Sequence, residues 1–250
     1  MKAPERAVYA VEFDVAACAP GDEPSGPALV AAAAAVGADR VVVHARATAE
    51  HWAVVHRDAR VEVGGEPRLL AELTLAEVRG ARAADGRVAT LEETMLAAHR
   101  RGVGLVIRIH DGRVTAALAG ALGVMAGSGP AALRTRYLVV VPDARIGKSL
   151  RRAAPDLPSA RAIARAGGAW RGALARRFPN LARAAADADD LVVPGALATP
   201  ERVERRLVPV LRRRGAFVWV DAVPPALRHD YALTGAGGIL VDLPLPAAPP

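Results

Sequence analysis

Gly37-Ala-Asp-Arg-Val-Val-Val-His-Ala-Arg-Ala-Thr48 sets a β-branched run between a glycine-led entry and a polar exit. Such a run reads as a strand, Arg40 to Arg46, and the Ala/Val segment before it, Pro27 to Val36, reads as a helix. The same alternation recurs along the chain. Further candidate strands lie at Ala7 to Asp14, Gly104 to His110, Tyr137 to Pro142, Ala160 to Ala164, Asp190 to Pro194, Ala216 to Asp221 and Gly238 to Asp242. Helix candidates between them are Leu91 to Arg101, Thr115 to Ala126, Arg145 to Ala154, Trp170 to Ala186, Pro200 to Arg214 and Pro224 to Leu233. Thr90-Leu-Glu-Glu has the form of a capping box, and Thr199-Pro200-Glu201 puts an N-cap before a proline at the first helical position. Eight strands with intervening helices suit a TIM (β/α)8 barrel better than an open doubly wound sheet. Neither a Gly-x-Gly-x-x-Gly nor a Walker A sequence appears, so no dinucleotide or P-loop motif is present.

The rest of the composition agrees with one α/β domain over residues 1–250. The chain is 250 residues long, 52% hydrophobic and 24% charged, which excludes a disordered chain. Its longest apolar run, Ala28 to Val36, falls far short of the roughly 18 residues that cross a bilayer. Glu5, Arg6, Glu12 and Asp14 interrupt any signal-peptide core, so a cytoplasmic protein with no membrane partner is expected. The single cysteine, Cys18, excludes an internal disulfide and a zinc-finger site and reads as inert in its Pro/Gly-rich loop. A net charge of +7 invites a nucleic-acid reading. The arginines, however, fall in dispersed doublets such as Arg151-Arg152, Arg176-Arg177 and Arg205-Arg206, plus the triplet Arg212 to Arg214, all in helix-like segments. With nine aromatics in the chain, solvated helix faces and no specific nucleic-acid partner are expected.

Several motifs, in order and spacing, resemble the glycerophosphodiester phosphodiesterase family. They are the 37–48 stretch, Trp52-Ala-Val-Val-His-Arg-Asp58, Leu73-Thr-Leu-Ala-Glu-Val-Arg79, Thr90-Leu-Glu-Glu-Thr94 and Leu105-Val-Ile-Arg-Ile-His110. Later pieces also fit: Tyr137-Leu-Val-Val-Val-Pro-Asp143, Ala154-Pro-Asp-Leu-Pro158, Ala216-Phe-Val-Trp-Val-Asp221 and Gly237-Gly-Ile-Leu-Val-Asp-Leu-Pro244. The resemblance implies a TIM barrel with a β-hairpin extension after the second strand and a small insertion over 59–90 at the barrel mouth.

The departures from the family pattern bear on function. The resemblance implies an E-x-D pair and the glutamate of an E-I-K strand as ligands of a divalent cation, with two histidines as acid and base. Here the E-x-D falls on Val42 and His44, the hairpin histidine on Arg57, and the E-I-K glutamate and lysine on Arg108 and His110. No H-R-G follows the first strand. Hard cations need oxygen ligands, and a guanidinium at position 108 repels one. No metal and no cofactor are therefore expected.

Residues two apart on a strand face the same side, which groups Glu12 with Asp14, Val42 with His44, and Arg108 with His110 at the C-terminal ends of barrel strands. Glu12, Asp14, His44 and His110 are the candidate catalytic residues, and Arg108 the candidate anion anchor. A blander reading has Arg108 bridge Glu12 or Asp14 as a salt bridge, with the histidines satisfied nearby. A third treats Glu12, Asp14, His44 and His110 as a mixed carboxylate and imidazole site for Zn²⁺, Mn²⁺ or Fe²⁺. Arg57 and Asp58 on the hairpin, Trp219 as a roof over the pocket, and Asp221 as a histidine orienter or loop cap complete the candidate ligand-binding set. His51, His56, His99 and His229 read as surface residues.

Three functions fit these residues. One is a repurposed, metal-independent enzyme doing general acid/base chemistry on a small anionic or biosynthetic metabolite, by elimination, isomerisation or cyclisation. Another is a non-catalytic pseudoenzyme that binds a phosphorylated or carboxylated ligand or a partner protein. The third is a glycerophosphodiester phosphodiesterase with a relocated metal site.

Overall fold

A computed structural model describes residues 7–15, 18, 23–81, 87–124, 133, 135–163 and 189–245. Eight parallel strands close a barrel: β1 (Val8–Asp14), β2 (Arg40–Ala47), β6 (Gly104–Ile109), β7 (Tyr137–Val141), β8 (Ser159–Ala162), β9 (Asp190–Pro194), β10 (Phe217–Val223) and β11 (Gly238–Pro244). Closure comes from β1, which pairs with β11 on one side and β2 on the other. All eight strands fall on the β-branched or apolar runs read as strands in the sequence. The short β3 (Ala53–Val55) returns antiparallel to β2, giving the expected hairpin.

Helices α1 (Gly26–Ala35), α2 (Leu75–Arg79), α3 (Leu91–Arg101), α4 (Val114–Val124) and α5 (Ala144–Ala153) follow. The capping box at α3 forms as its sequence implies: Thr90 Oγ1 accepts from the Glu93 amide at 3.1 Å, and Glu93 Oε2 from the Thr90 amide at 2.9 Å. The expected helix over Pro200 to Arg214 forms over Pro200–Arg212, with a π-turn over Val203–Leu207 inside it. Pro209 accounts for the π-turn, because it has no N–H and its ring crowds the carbonyl four residues back. Pro224 to Leu233 splits into a 3₁₀ turn and a short helix, Arg228–Ala232. The helix expected over Trp170 to Ala186 and the doublet Arg176-Arg177 lie outside the described residues.

Between β3 and α3, β4 (Arg60–Val63) and β5 (Glu66–Leu69) form a two-stranded ribbon. With α2 it packs around its own apolar cluster of Val54, Val61, Leu70, Leu73, Val78, Ala81 and Val88. No helix among the described residues is long and apolar enough to cross a membrane.

The strands' outward residues, such as Val41, Val43, Leu105, Ile107 and Val139, pack under the helices in the main core. Inside the barrel, Ala10, Val42, Val106, Leu138, Val140, Ala160, Val192 and Leu240 form an apolar plug together with Trp219. Small residues make room at the N-terminal end of the barrel: a Cβ at Gly238 would strike the Trp219 ring, and one at Gly104 would lie 2.9 Å from Arg40 Cγ. Above the plug, the period-two series continues into polar residues at the strands' C-terminal ends.

Candidate functional site

Glu12, His44, Arg108 and Asp221 stand one step above the apolar plug on β1, β2, β6 and β10, and His110 follows β6. Strand register brings them together, with His44 opposite Arg108 and Glu12 opposite Asp242. Arg108 Nη2 donates to Glu12 Oε2 at 2.8 Å and to Asp221 Oδ1 at 2.7 Å. The other Glu12 oxygen lies 3.1 Å from His44 Nε2, and His44 Nδ1 lies 2.9 Å from His110 Nε2. The two imidazoles stack with their planes 13° apart. A continuous hydrogen-bonded line therefore runs from Asp221 through Arg108, Glu12 and His44 to the exposed His110.

The electrostatics follow from this packing. Burial pushes the Glu12 carboxyl up, but the His44 hydrogen bond and the charges of Arg108, His44 and Arg57 outweigh it and hold the pKa at about 2. Burial, then the Arg46, His44 and Arg108 charges, pull His110 down to about 4. Burial opposes the charge on Arg108, yet Asp221 and Glu12 raise its pKa above the usual value. Glu12 is thus a fixed carboxylate, and His110 is a neutral imidazole at neutral pH.

The remaining candidates divide. Asp14, at the end of β1, has a side chain 59% exposed and 3.5 Å from Arg57 Nη1, and it lines the mouth pocket with Glu12. Arg57 lines the mouth from the hairpin, and Asp58 is exposed, its carbonyl accepting from His56 Nδ1 at 3.1 Å. Asp221 contacts no histidine; besides Arg108 it accepts from the Ala222 amide at 3.0 Å, the loop-capping alternative. Trp219 does not roof the pocket. It lies in the apolar plug, opposite Gly238 and Val192 in register, with Nε1 donating to Asp190 Oδ2 at 3.0 Å and Arg40 stacked on its ring at 5.2 Å. Position 219 shares a face with 221, but two residues along a strand are about 6.6 Å of depth, enough to separate floor from mouth.

Two residues of the site went unread in the sequence. Arg46 extends the series Val42, His44 beyond His44; its Nη2 donates to the Arg57 carbonyl at 2.6 Å, while its Nε is buried without a partner. Arg108 Nε is likewise buried and unpartnered. The period-two count that selected His44 selects Arg46 as well. His56 is no surface residue: 11% exposed, it pairs through Nε2 with Glu23 Oε2 at 3.3 Å. Glu23 lies 33 positions earlier in the chain, so no local pattern announces the pair.

The donor set does not fit a divalent cation. Val42 lies in the apolar plug where the resemblance places a carboxylate, and the Arg108 guanidinium occupies the place of another. Both Glu12 oxygens are engaged, and Asp14 lies 3.5 Å from the Arg57 guanidinium. Among the described residues no group of three His, Cys, Asp or Glu side chains could hold a metal ion.

No family model matches the chain, and no curated protein matches it by sequence. Solved structures do match, and they define a class: the fold is a TIM barrel of the glycerophosphodiester phosphodiesterase type, as the sequence motifs imply. A phosphodiesterase of Oleispira antarctica, solved with its product sn-glycerol-3-phosphate, superposes with TM-score 0.68 at 15% identity, covering 96% of this chain and 93% of its own. The glycerophosphodiester phosphodiesterase of Thermotoga maritima matches with TM-score 0.65 at 16% identity, covering 94% of each chain. A provisionally named glycerophosphoryl diester phosphodiesterase of Silicibacter pomeroyi reaches TM-score 0.70 at 20% identity, covering 96% of this chain and 91% of its own. At these identities the likeness shows the fold.

Proposed function

We propose that this barrel performs metal-independent general acid/base chemistry, such as elimination, isomerisation or cyclisation, on a small anionic ligand seated at its mouth. The observation that carries this reading is the Glu12–His44–His110 line, which ends in an exposed, neutral imidazole. An ionised Glu12 only accepts, so His44 Nε2 carries a proton toward it. When His44 Nδ1 is bare, it accepts from His110 Nε2–H, which leaves the lone pair of His110 on Nδ1. A proton taken from substrate at that Nδ1 can be relayed: His110 Nε2–H passes to His44 Nδ1. The new positive charge then rests on His44, against the Glu12 carboxylate, rather than on His110 beside Arg46. The reverse transfer returns the proton to product.

Arg108 serves this machinery as a positioning residue, since its Nη2 is shared by Glu12 and Asp221. Arg46 and Arg57, beside His110 and the mouth, are the better anion partners. Arg57 lines a pocket of about 220 Å³ at the mouth together with Glu12, Phe13, Asp14 and Asp242. Nitrogen-15 NMR of labelled histidines tests the assignment: at neutral pH His110 should carry its proton on Nε2 with Nδ1 bare. A doubly protonated His110 at neutral pH overturns it. Because Val42 and Arg108 stand where the resemblance places carboxylate ligands, the protein is expected to hydrolyse neither glycerophosphocholine nor bis-p-nitrophenyl phosphate with Mg²⁺ or Ca²⁺. Turnover that EDTA abolishes would restore the phosphodiesterase reading. The doubly bridged Arg108 favours one alternative, a non-catalytic barrel that binds the same anionic ligand.

A further inference from the structure

A cleft of about 990 Å³ opens beside the mouth, between Val15, Cys18 and Pro24 on one side and the ribbon that follows β3 on the other. Val15, Pro24, Val55, Val61, Pro67 and Val88 give it apolar walls. It is continuous with the candidate site: Arg57 lines both the cleft and the mouth pocket, and a narrow void of about 30 Å³ lined by Glu12, His44, His56 and Arg57 lies between them. The volume is that of a site for a molecule of many heavy atoms, far more than a compact anion needs. Polar groups in the cleft are paired with each other. His56 pairs with Glu23 and its second ring nitrogen meets the Asp58 carbonyl, so an apolar occupant would strand neither of these groups.

Resting on the anion-binding reading above, we infer that the ligand is amphipathic. Its anionic head pairs with Arg46 and Arg57 at the mouth, and an apolar body, an alkyl chain or ring system, fills the cleft between Val15 and Val61.

The test titrates the whole protein with acetate, hexanoate and decanoate below the micellar range, reading the guanidinium NMR signals of Arg46 and Arg57, which register weak as well as tight binding. Each methylene that enters the cleft should tighten binding about three- to fourfold, so decanoate should bind roughly a hundredfold tighter than hexanoate. Ala59→Trp, which fills the cleft from an exposed wall position, should reduce that ratio below about tenfold while leaving acetate binding unchanged. Pro67→Phe does the same from the opposite wall if Ala59→Trp does not fold. Equal affinity for all three carboxylates overturns the cleft inference and leaves the anion reading intact. No shift at either arginine with any carboxylate overturns both. Decanol binding as tightly as decanoate, or a chain-length dependence unchanged in the filled variants, overturns the inference, since the head or the cleft would then play no part.

Discussion

The barrel buries polar residues at both ends, and the two ends treat them differently. At the N-terminal end Asp190 and Arg40 are 7% and 6% exposed, and each is closed off. Asp190 accepts from the Phe217 amide at 2.9 Å and from Trp219 Nε1, while Arg40 donates to the Thr135 carbonyl at 2.9 Å and lies on the Trp219 face. At the mouth the network is as dense, but it ends in the open at the exposed His110, and it leaves the buried Nε atoms of Arg46 and Arg108 without acceptors. Polar residues inside a barrel are thus no mark of a site by themselves. A network that ends at the surface is, since a ligand can reach its last member.

The largest way to break this comparison is Arg108→Ala. Removing the guanidinium leaves Glu12 and Asp221, 18% and 21% exposed, without their shared cation. A urea melt should show a loss of about 3–5 kcal/mol. A loss under about 1 kcal/mol would mean that water solvates both carboxylates freely, and the mouth would then be open rather than bridged. Next comes Trp219→Phe at the floor, which takes one of the two donors from Asp190. The expected cost is about 1–3 kcal/mol by the same melt, with carboxylate binding at the mouth unaffected. Altered binding in that variant would show that the two ends are coupled.

Much of this was legible in the sequence, and the limits have physical reasons. β-branched runs mark strands such as β2, β6 and β7 because each is covered on both faces, by plug and by helices, as Val42 and Val43 illustrate. Period two then grouped Glu12 with Asp14, Val42 with His44, and Arg108 with His110, at the C-terminal ends of their strands. It gives the face of a strand and not the depth, which is why Trp219 was expected above the site and sits below it. Nor does it give the partner across the barrel. The choice of Asp221 rather than Asp14 beside Arg108 is set by closure of the sheet, and the pairing of His56 with Glu23 by packing between two loops.

Acid and alkali should separate the ends. Burial, the largest influence on Asp190, raises its pKa to about 6 from 3.8 despite the Phe217 and Trp219 hydrogen bonds. Its contribution to stability is therefore complete below the unfolded value and is lost as pH rises through about 6. The mouth behaves oppositely. His110, depressed to about 4 from 6.5, contributes stability that is present above 6.5 and lost as pH falls through about 4. Glu12 contributes above 4.5 and loses its contribution as pH falls through about 2. Melts between pH about 3 and 8 should show the acid-side decline weakened in His110→Ala. An unchanged acid limb in that variant would remove His110 from the titrating groups.

The smallest expected effect on stability is the sharpest discriminator. His110 is exposed, and its one side-chain hydrogen bond is to His44, so His110→Ala at neutral pH should cost no more than about 1 kcal/mol. His44→Ala should cost more, because it also removes the Nε2 hydrogen bond from the largely buried Glu12. A purely structural line would rank function by the same order as stability. A proton relay requires the reverse emphasis: His110→Ala, nearly neutral for folding, should lose turnover of a copurified ligand identified by native mass spectrometry as fully as His44→Ala does. If His110→Ala keeps that turnover, the exposed end of the line is not where the proton enters, and the mouth is satisfied in the same closed sense as the floor.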